Sequence, residues 1–144
     1  MGFGNTDTLV AIENVMGTDF ADNITGNAAG NVMITCNGLD VAYGGGGNDS
    51  IDGGEADDVL RGGAGDDTMP GGFGRDVMTG GSGHDAFQFH SPGDSADTIT
   101  DFVSGTDELQ CNGFPYEVGH VLALGVDFFL STGNVAGAAG PSFV

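Results

Sequence analysis

The most regular pattern in the chain is an apolar residue that recurs every nine positions. Ile51, Leu60, Met69, Met78 and Phe87 each lie at the centre of a three-residue group. Side chains alternate between the two faces of a β-strand, so the central residue of such a group points one way and its neighbours point the other. We therefore predict one short strand in every nine residues, with its central side chain in the core.

The six residues between these groups are rich in glycine and end in aspartate. The hexapeptide Gly-Gly-x-Gly-x-Asp begins at positions 44, 62, 71 and 80, and the copy from position 53 differs only in having Ala56. Glycine adopts the positive φ angles of tight turns without steric cost. Each hexapeptide is therefore predicted to form a turn.

Weaker copies extend this register towards the N-terminus, at residues 17–25, 26–34 and 35–43, so that eight nonapeptides fill residues 17–88 without an insertion. A unit this short cannot bury a core alone and must stack on its neighbours. Two turns and two strands close one coil every 18 residues. The predicted fold is all-β, a right-handed parallel β-roll (a β-solenoid) with two sheets back to back.

The flanks of the repeats differ from them in pattern. We predict an N-terminal covering segment at residues 1–16 with a strand within 8–16, the roll at 17–88, a C-terminal β cap at 89–114 and an apolar tail at 115–144. Within the cap, alternation from residue 98 to residue 103 predicts a strand, and residues 104–107 predict a turn.

Charge narrows the functions that such a roll can have. The chain has 21 acidic residues against two arginines, no lysine and a net charge of −19. This balance argues against binding to nucleic acid or anionic membranes and favours multivalent cations, with calcium first among oxygen-seeking ions. The most apolar stretch, residues 118–130, contains His120 and Asp127 and is too short to span a bilayer.

The 18-residue coil places the last residue of alternate turns in one column. The two columns are Asp22, Asp40, Asp58 and Asp76 on one edge, and Asn31, Asp49, Asp67 and Asp85 on the other. Carboxylates ~4.8 Å apart repel by roughly 3–4 kcal/mol at an effective dielectric constant near 20. We expect cations between the rungs to remove this repulsion, and the roll to be largely unfolded without calcium.

The chain offers no catalytic motif. His84, His90 and His120 do not form His-Glu-x-x-His, and a phosphate-binding loop would require a lysine. We therefore predict no catalytic residues and no enzymatic activity.

The phased hexapeptides resemble the RTX (repeats-in-toxin) nonapeptide, a calcium-binding β-helix repeat. The stretch from Asp85 to Leu109 is similar to the segment that closes the β-roll of serralysin-type metalloproteases, and to regulatory modules of mannuronan epimerases. The resemblance covers residues 17–114. It implies a parallel β-roll, an extracellular location, export by a type I secretion apparatus using a signal in the tail at 115–144, and folding when calcium is met outside the cell.

The resemblance also implies ions between same-edge turns, held by the aspartate and by turn carbonyls. We expect about 4–6 calcium ions. The predicted metal-binding residues are Asp40, Gly44, Gly45, Gly47, Asp49, Gly53, Gly54, Asp58, Gly62, Gly63, Gly65, Asp67, Gly71, Gly72, Gly74, Asp76, Gly80, Gly81, Gly83 and Asp85, with Asp97 and Asp101 holding a further ion near the cap.

Two functions remain open at this point. In the first, the chain is the calcium-binding and secretion module of a larger exoenzyme. In the second, it is a complete small extracellular structural or surface protein that self-assembles in a calcium-dependent way, because a solenoid can expose strand edges at its ends.

Overall fold

The computed structural model describes residues 6–8, 12–90, 97–111 and 128–130 and shows strands but no helix in them. The strands are β1 (Thr6–Thr8), β2 (Asn14–Met16), β3 (Asn23–Thr25), β4 (Val32–Ile34), β5 (Val41–Gly46), β6 (Ser50–Asp52), β7 (Val59–Ala64), β8 (Thr68–Pro70), β9 (Val77–Ser82), β10 (Ala86–Phe89), β11 (Asp97–Ile99), β12 (Glu108–Cys111) and β13 (Phe128–Leu130). Within these residues, no helix has the length and apolar character needed to cross a membrane.

Alternate strands belong to alternate sheets, as the 18-residue coil requires. One sheet has the order β1-β3-β5-β7-β9-β11-β13 and the other the order β12-β10-β8-β6-β4-β2. Every pair is parallel, and Leu60 in β7 lies opposite Ala42 in β5 and Met78 in β9. The predicted parallel β-roll with two sheets is confirmed.

The core is a single column of side chains between the sheets. Its members are Ile24, Met33, Ala42, Ile51, Leu60, Met69, Met78, Phe87, Phe89 and Ile99. The first eight are the central residues of the eight nonapeptides, and each is at most 4% exposed. The nine-residue apolar period therefore identified the core correctly, because every central side chain of a strand in this fold points inward.

Several strands are longer than the predicted three residues. β5, β7 and β9 each span six residues and continue into the glycine turn. Gly63 pairs with Gly45 and with Gly81 in the turns on either side. Identical turns stacked on one another extend the backbone ladder, which short sequence windows do not reveal.

The regular spacing ends after β10. The N–H of Asp76 bonds to Asp97, 21 residues later, and that of Asp85 bonds to Asp107, 22 residues later. The strand predicted at residues 98–103 is β11, which ends at Ile99. It stops there because Asp101 turns back to accept hydrogen bonds from Gly80 and Gly81. Phe102 then packs on Phe87, with ring centroids 6.2 Å apart.

The N-terminal end keeps the 18-residue register, since Val15 in β2 pairs with Met33 in β4. Most of the tail at 115–144, including the predicted secretion signal, lies outside the described residues. The exception is β13, which pairs with β11.

Two residues with side chains adopt the turn conformation that glycine favours. Cys36 has φ 77° and Ala56 has φ 88°. Left-handed backbone costs a residue with a Cβ roughly 1–2 kcal/mol. The neighbouring turns hold residue 56 in place, because the Ala56 N–H bonds to the Phe73 carbonyl at 2.7 Å and the Glu55 N–H bonds to the Cys36 carbonyl at 2.8 Å.

We predict that Ala56→Gly stabilises the calcium-loaded roll. Relief of the left-handed strain outweighs the added freedom of the unfolded chain, for a net gain of about 0.5–1 kcal/mol in the free energy of unfolding. Denaturant titration in saturating calcium measures the change. The matched control is Ala64→Gly, because Ala64 lies in the strand-like part of its turn without a positive φ and should lose stability. Equal effects of the two variants would contradict the prediction.

Candidate metal sites

Aspartates at the ends of the turns form two hydrogen-bonded ladders, one on each edge of the roll. On one edge, Asp67 Oδ1 accepts the N–H of Asp49 at 2.8 Å, and Asp85 Oδ1 accepts the N–H of Asp67 at 3.0 Å. On the other edge, Asp58 Oδ1 accepts the N–H of Asp40 at 2.8 Å. Each carboxylate is thus held in place by a backbone N–H of the turn on the same edge, one coil earlier.

The second oxygen of these carboxylates is the chemically important one. Oδ2 of Asp49, Asp58, Asp67 and Asp85 is buried and has no hydrogen-bond partner among the described residues. All four residues are at most 2% exposed. A buried carboxylate oxygen without a donor is costly unless a cation compensates it. The residues present therefore fit a bound cation in the turns.

The first glycine of each hexapeptide makes room for this oxygen. A Cβ placed on Gly62 would collide with the carboxylate of Asp67, and one on Gly80 would collide with that of Asp85. A Cβ on Gly63 would instead meet the backbone carbonyl oxygen of Gly45, in the turn one coil earlier. Carboxylate and carbonyl oxygens thus approach closely between stacked turns, and these are the ligands that calcium prefers.

The carboxylates are electrostatically unfavourable as charged groups. The pKa of Asp58 is raised to about 7, mainly by burial and further by the charges of Asp76 and Asp40, while the Asp40 N–H opposes the shift. The pKa of Asp67 is raised to about 6 for the same reason, burial first and then the charges of Asp49 and Asp85. Burial also raises the pKa of Asp40, Asp49 and Asp85.

Side chains alone do not assemble a metal site. In the described part of the chain, no three His, Cys, Asp or Glu side chains converge on a point where they could hold an ion. A cation in the turns must therefore take several ligands from backbone carbonyls, as the glycine-rich turns allow. Arg75, one of the two arginines, pairs with Asp57 on the exposed side of its turn at 2.8 Å.

The structure places the predicted glycines and aspartates of residues 40–85 in the stacked turns, and it gives the two predicted cap ligands different hydrogen-bond partners. Asp97 is buried and continues the ladder of Asp76. Asp101 lies past the other end of β11, and its two oxygens accept the N–H groups of Gly80 and Gly81 at 2.9 and 2.8 Å. Asp97 is the first residue of β11 and Asp101 follows its end, and a further ion at these two residues stays a prediction.

Sequence reasoning missed Asp107 as the residue that continues the ladder of Asp85. Its Oδ1 accepts the Asp85 N–H at 3.2 Å, and its Oδ2 accepts the Val103 N–H at 2.7 Å. This coil is four residues longer than 18, so counting 18 residues on from Asp85 does not reach Asp107. The Ser-Gly-Thr-Asp turn was the available signal.

Comparison with known proteins agrees with this geometry. The family model described as the RTX calcium-binding nonapeptide repeat (4 copies) matches residues 37–69 and 52–87. No curated protein and no solved structure matches the chain. Glycine turns, buried aspartates and parallel strands repeat in the matched residues, so residues 37–87 form a β-roll of RTX calcium-binding nonapeptide repeats.

Proposed function

We propose that the chain is a module that folds when it binds calcium outside the cell, and that this folding supports secretion and stability of an exported protein. The observation that carries the proposal is a stack of buried aspartate oxygens that have no hydrogen-bond partner among the residues the structure describes, at Asp49, Asp58, Asp67 and Asp85. Without a cation these groups oppose folding. With one, the binding free energy becomes folding free energy.

The proposed ions lie between turns on the same edge. One edge would hold ions between turns 44–49 and 62–67 and between 62–67 and 80–85. The other would hold ions between 35–40 and 53–58 and between 53–58 and 71–76. Asp97 would extend the second edge. This arrangement accounts for about 4–6 ions, with each interior aspartate serving two of them.

Secretion follows from the same dependence on calcium. A chain with a net charge of −19 and unneutralised ladders stays unfolded where calcium is scarce, as in cytoplasm. An unfolded chain can pass a narrow export channel, and millimolar calcium outside would then fold it. The type I secretion apparatus is the partner that the repeat family suggests.

A second candidate function, calcium-dependent self-assembly, is favoured by the N-terminal end of the roll. β2 is the last strand of the six-stranded sheet. Met16 on this strand is 69% exposed and the nearby Phe20 is 65% exposed. A strand edge flanked by apolar side chains is suited to pairing with another copy.

We predict that calcium converts the chain from coil to β-structure. Far-UV circular dichroism in chelator should show mainly coil, and millimolar calcium should produce a β spectrum, whereas magnesium, which demands a smaller octahedral site, should not replace it. A β spectrum that chelator leaves unchanged would remove the proposed mechanism.

Light scattering in the same titration separates the two functions, because growth of particles with calcium favours assembly and a constant monomer mass favours the secretion module.

Asp67→Asn should raise the calcium concentration needed for folding by about tenfold or more, since Asp67 would serve ions on both sides. The matched control is Asp22→Asn, because Oδ2 of Asp22 already accepts bonds from the N–H and hydroxyl of Thr18. The control should shift the midpoint far less. Circular dichroism midpoints measure both variants, and equal shifts would argue against interior ions at Asp67.

Acidification should partly replace calcium. The pKa of Asp58 rises from 3.8 to about 7 on folding and that of Asp67 to about 6, so the folded roll holds more protons than the unfolded chain. These groups therefore favour folding most below about pH 4, and their contribution is lost as the pH rises towards 7. In chelator at constant ionic strength, the β signal should grow as the pH falls from 8 to 5. A β signal that is constant or falls would show that the carboxylates are not the barrier to folding.

A further inference from the structure

The eight turns of the roll fall into two classes by backbone conformation. In the six turns from residue 35 onwards, the second and fourth residues have positive φ; these are Cys36, Gly38, Gly45, Gly47, Gly54, Ala56, Gly63, Gly65, Gly72, Gly74, Gly81 and Gly83. In turns 17–22 and 26–31, which are described in full, neither residue has a positive φ. The change of class falls between residues 31 and 35.

The first turn closes on its own carboxylate. Oδ2 of Asp22 accepts the N–H of Thr18 at 2.6 Å and the hydroxyl of Thr18 at 2.9 Å. The equivalent oxygen of Asp49, Asp58, Asp67 and Asp85 has no hydrogen-bond partner in the described part of the chain. Donors of this chain thus supply at Asp22 what a cation would supply at the later turns.

The second turn closes in the same way through an amide. Oδ1 of Asn31 accepts the N–H of Asn27 at 3.0 Å, and Nδ2 of Asn31 donates to the carbonyl of Ile12 at 2.9 Å. The Asn27 N–H requires an acceptor, so this pair of bonds fixes which end of the amide faces which partner. The buried Asn31 therefore presents a donor where the later turns present a carboxylate oxygen.

The two observations have one physical cause. A second residue with negative φ directs its N–H at the sixth side chain and closes the turn. A second residue with positive φ turns that N–H away from the sixth side chain. In turn 35–40 the Thr35 side chain bonds to Asp40, whereas in the turns of Asp49, Asp58, Asp67 and Asp85 Oδ2 has no partner among the described residues. Thr18 and Asn27 belong to the first case, whereas Gly45 and Gly63 belong to the second.

We propose that turns 17–22 and 26–31 are closed by hydrogen bonds and bind no calcium, so that the calcium-binding part of the roll begins at turn 35–40. This inference rests on the proposed function. An ion at the end of a ladder would have ligands on one side only. Thr18 and Asn31 are therefore assigned the role of ending each ladder with hydrogen bonds instead of an ion.

The test is to convert the first turn into a calcium turn without adding a charge. Thr18→Gly together with Phe20→Gly makes the turn read Gly-Gly-Asp-Gly-Ala-Asp. Phe20 is 65% exposed, so its loss removes no core contact. Native mass spectrometry at saturating calcium should count one ion more than in the wild type. An unchanged count in the folded double variant, or a loss of one ion in Asp22→Asn, would overturn the inference.

Two controls tie the result to backbone conformation. Thr18→Ala alone removes the hydroxyl but keeps the N–H bond and should leave the count unchanged; an added ion would overturn the inference. Asp67→Asn should lose at least one ion, which shows that the measurement resolves single sites. If the wild type binds no calcium at all, it is the proposed function that fails.

The second turn gives an independent route if the first double variant does not fold. Asn27→Gly, Ala29→Gly and Asn31→Asp together should add one ion. Asn31→Asp alone should add none, because the Asn27 N–H still occupies the carboxylate, and it should raise the calcium midpoint by losing the bond to Ile12. An ion gained by the single variant, or none gained by the folded triple variant, would contradict the assignment.

Discussion

Burial of stacked carboxylates is the constraint on which the rest of this structure depends. A coil of fixed length puts Asp49, Asp67 and Asp85 one above another, and their burial prevents water from screening them. The backbone N–H groups stabilise one oxygen of each carboxylate. The other oxygen has no donor among the described residues, and a bound cation would compensate its charge.

The glycines of the turns let the backbone accommodate these buried carboxylates. The first glycine leaves space for the carboxylate, and the second and fourth allow the positive φ that prevents the turn from closing on itself. Turn conformation thus decides whether an aspartate is available to a metal. Cys36 and Ala56 show that neighbouring turns can impose this conformation even on residues that disfavour it.

The aspartate ladders end in different ways at the two ends of the roll. At the N-terminal end, the Thr18 N–H bonds to Asp22 and the Asn27 N–H bonds to Asn31, and both turns are closed in this way. At the C-terminal end, no further repeat follows the last glycine turn. Asp101 accepts the N–H of Gly80, and Asp107 accepts the N–H of Asp85. Phe102 packs on the core residue Phe87 at this end of the roll. A stack of identical coils therefore ends in coils that are not identical, as repeat proteins require.

The amino-acid sequence by itself determined the coil length, the core column and the two aspartate ladders, because a strict nine-residue period converts directly into stacking on one edge or the other. It also pointed to calcium through charge and glycine placement. The sequence left Asp22 and Asn31 out of the predicted ligands, but only the tertiary structure showed which contacts end the ladders. The bond from Asn31 to Ile12 joins residues 19 apart, and the places of Asp97, Asp101 and Asp107 follow from coils of 21 and 22 residues rather than 18. Such contacts depend on how the chain returns to a neighbouring rung, and a local pattern of residue types does not contain that information.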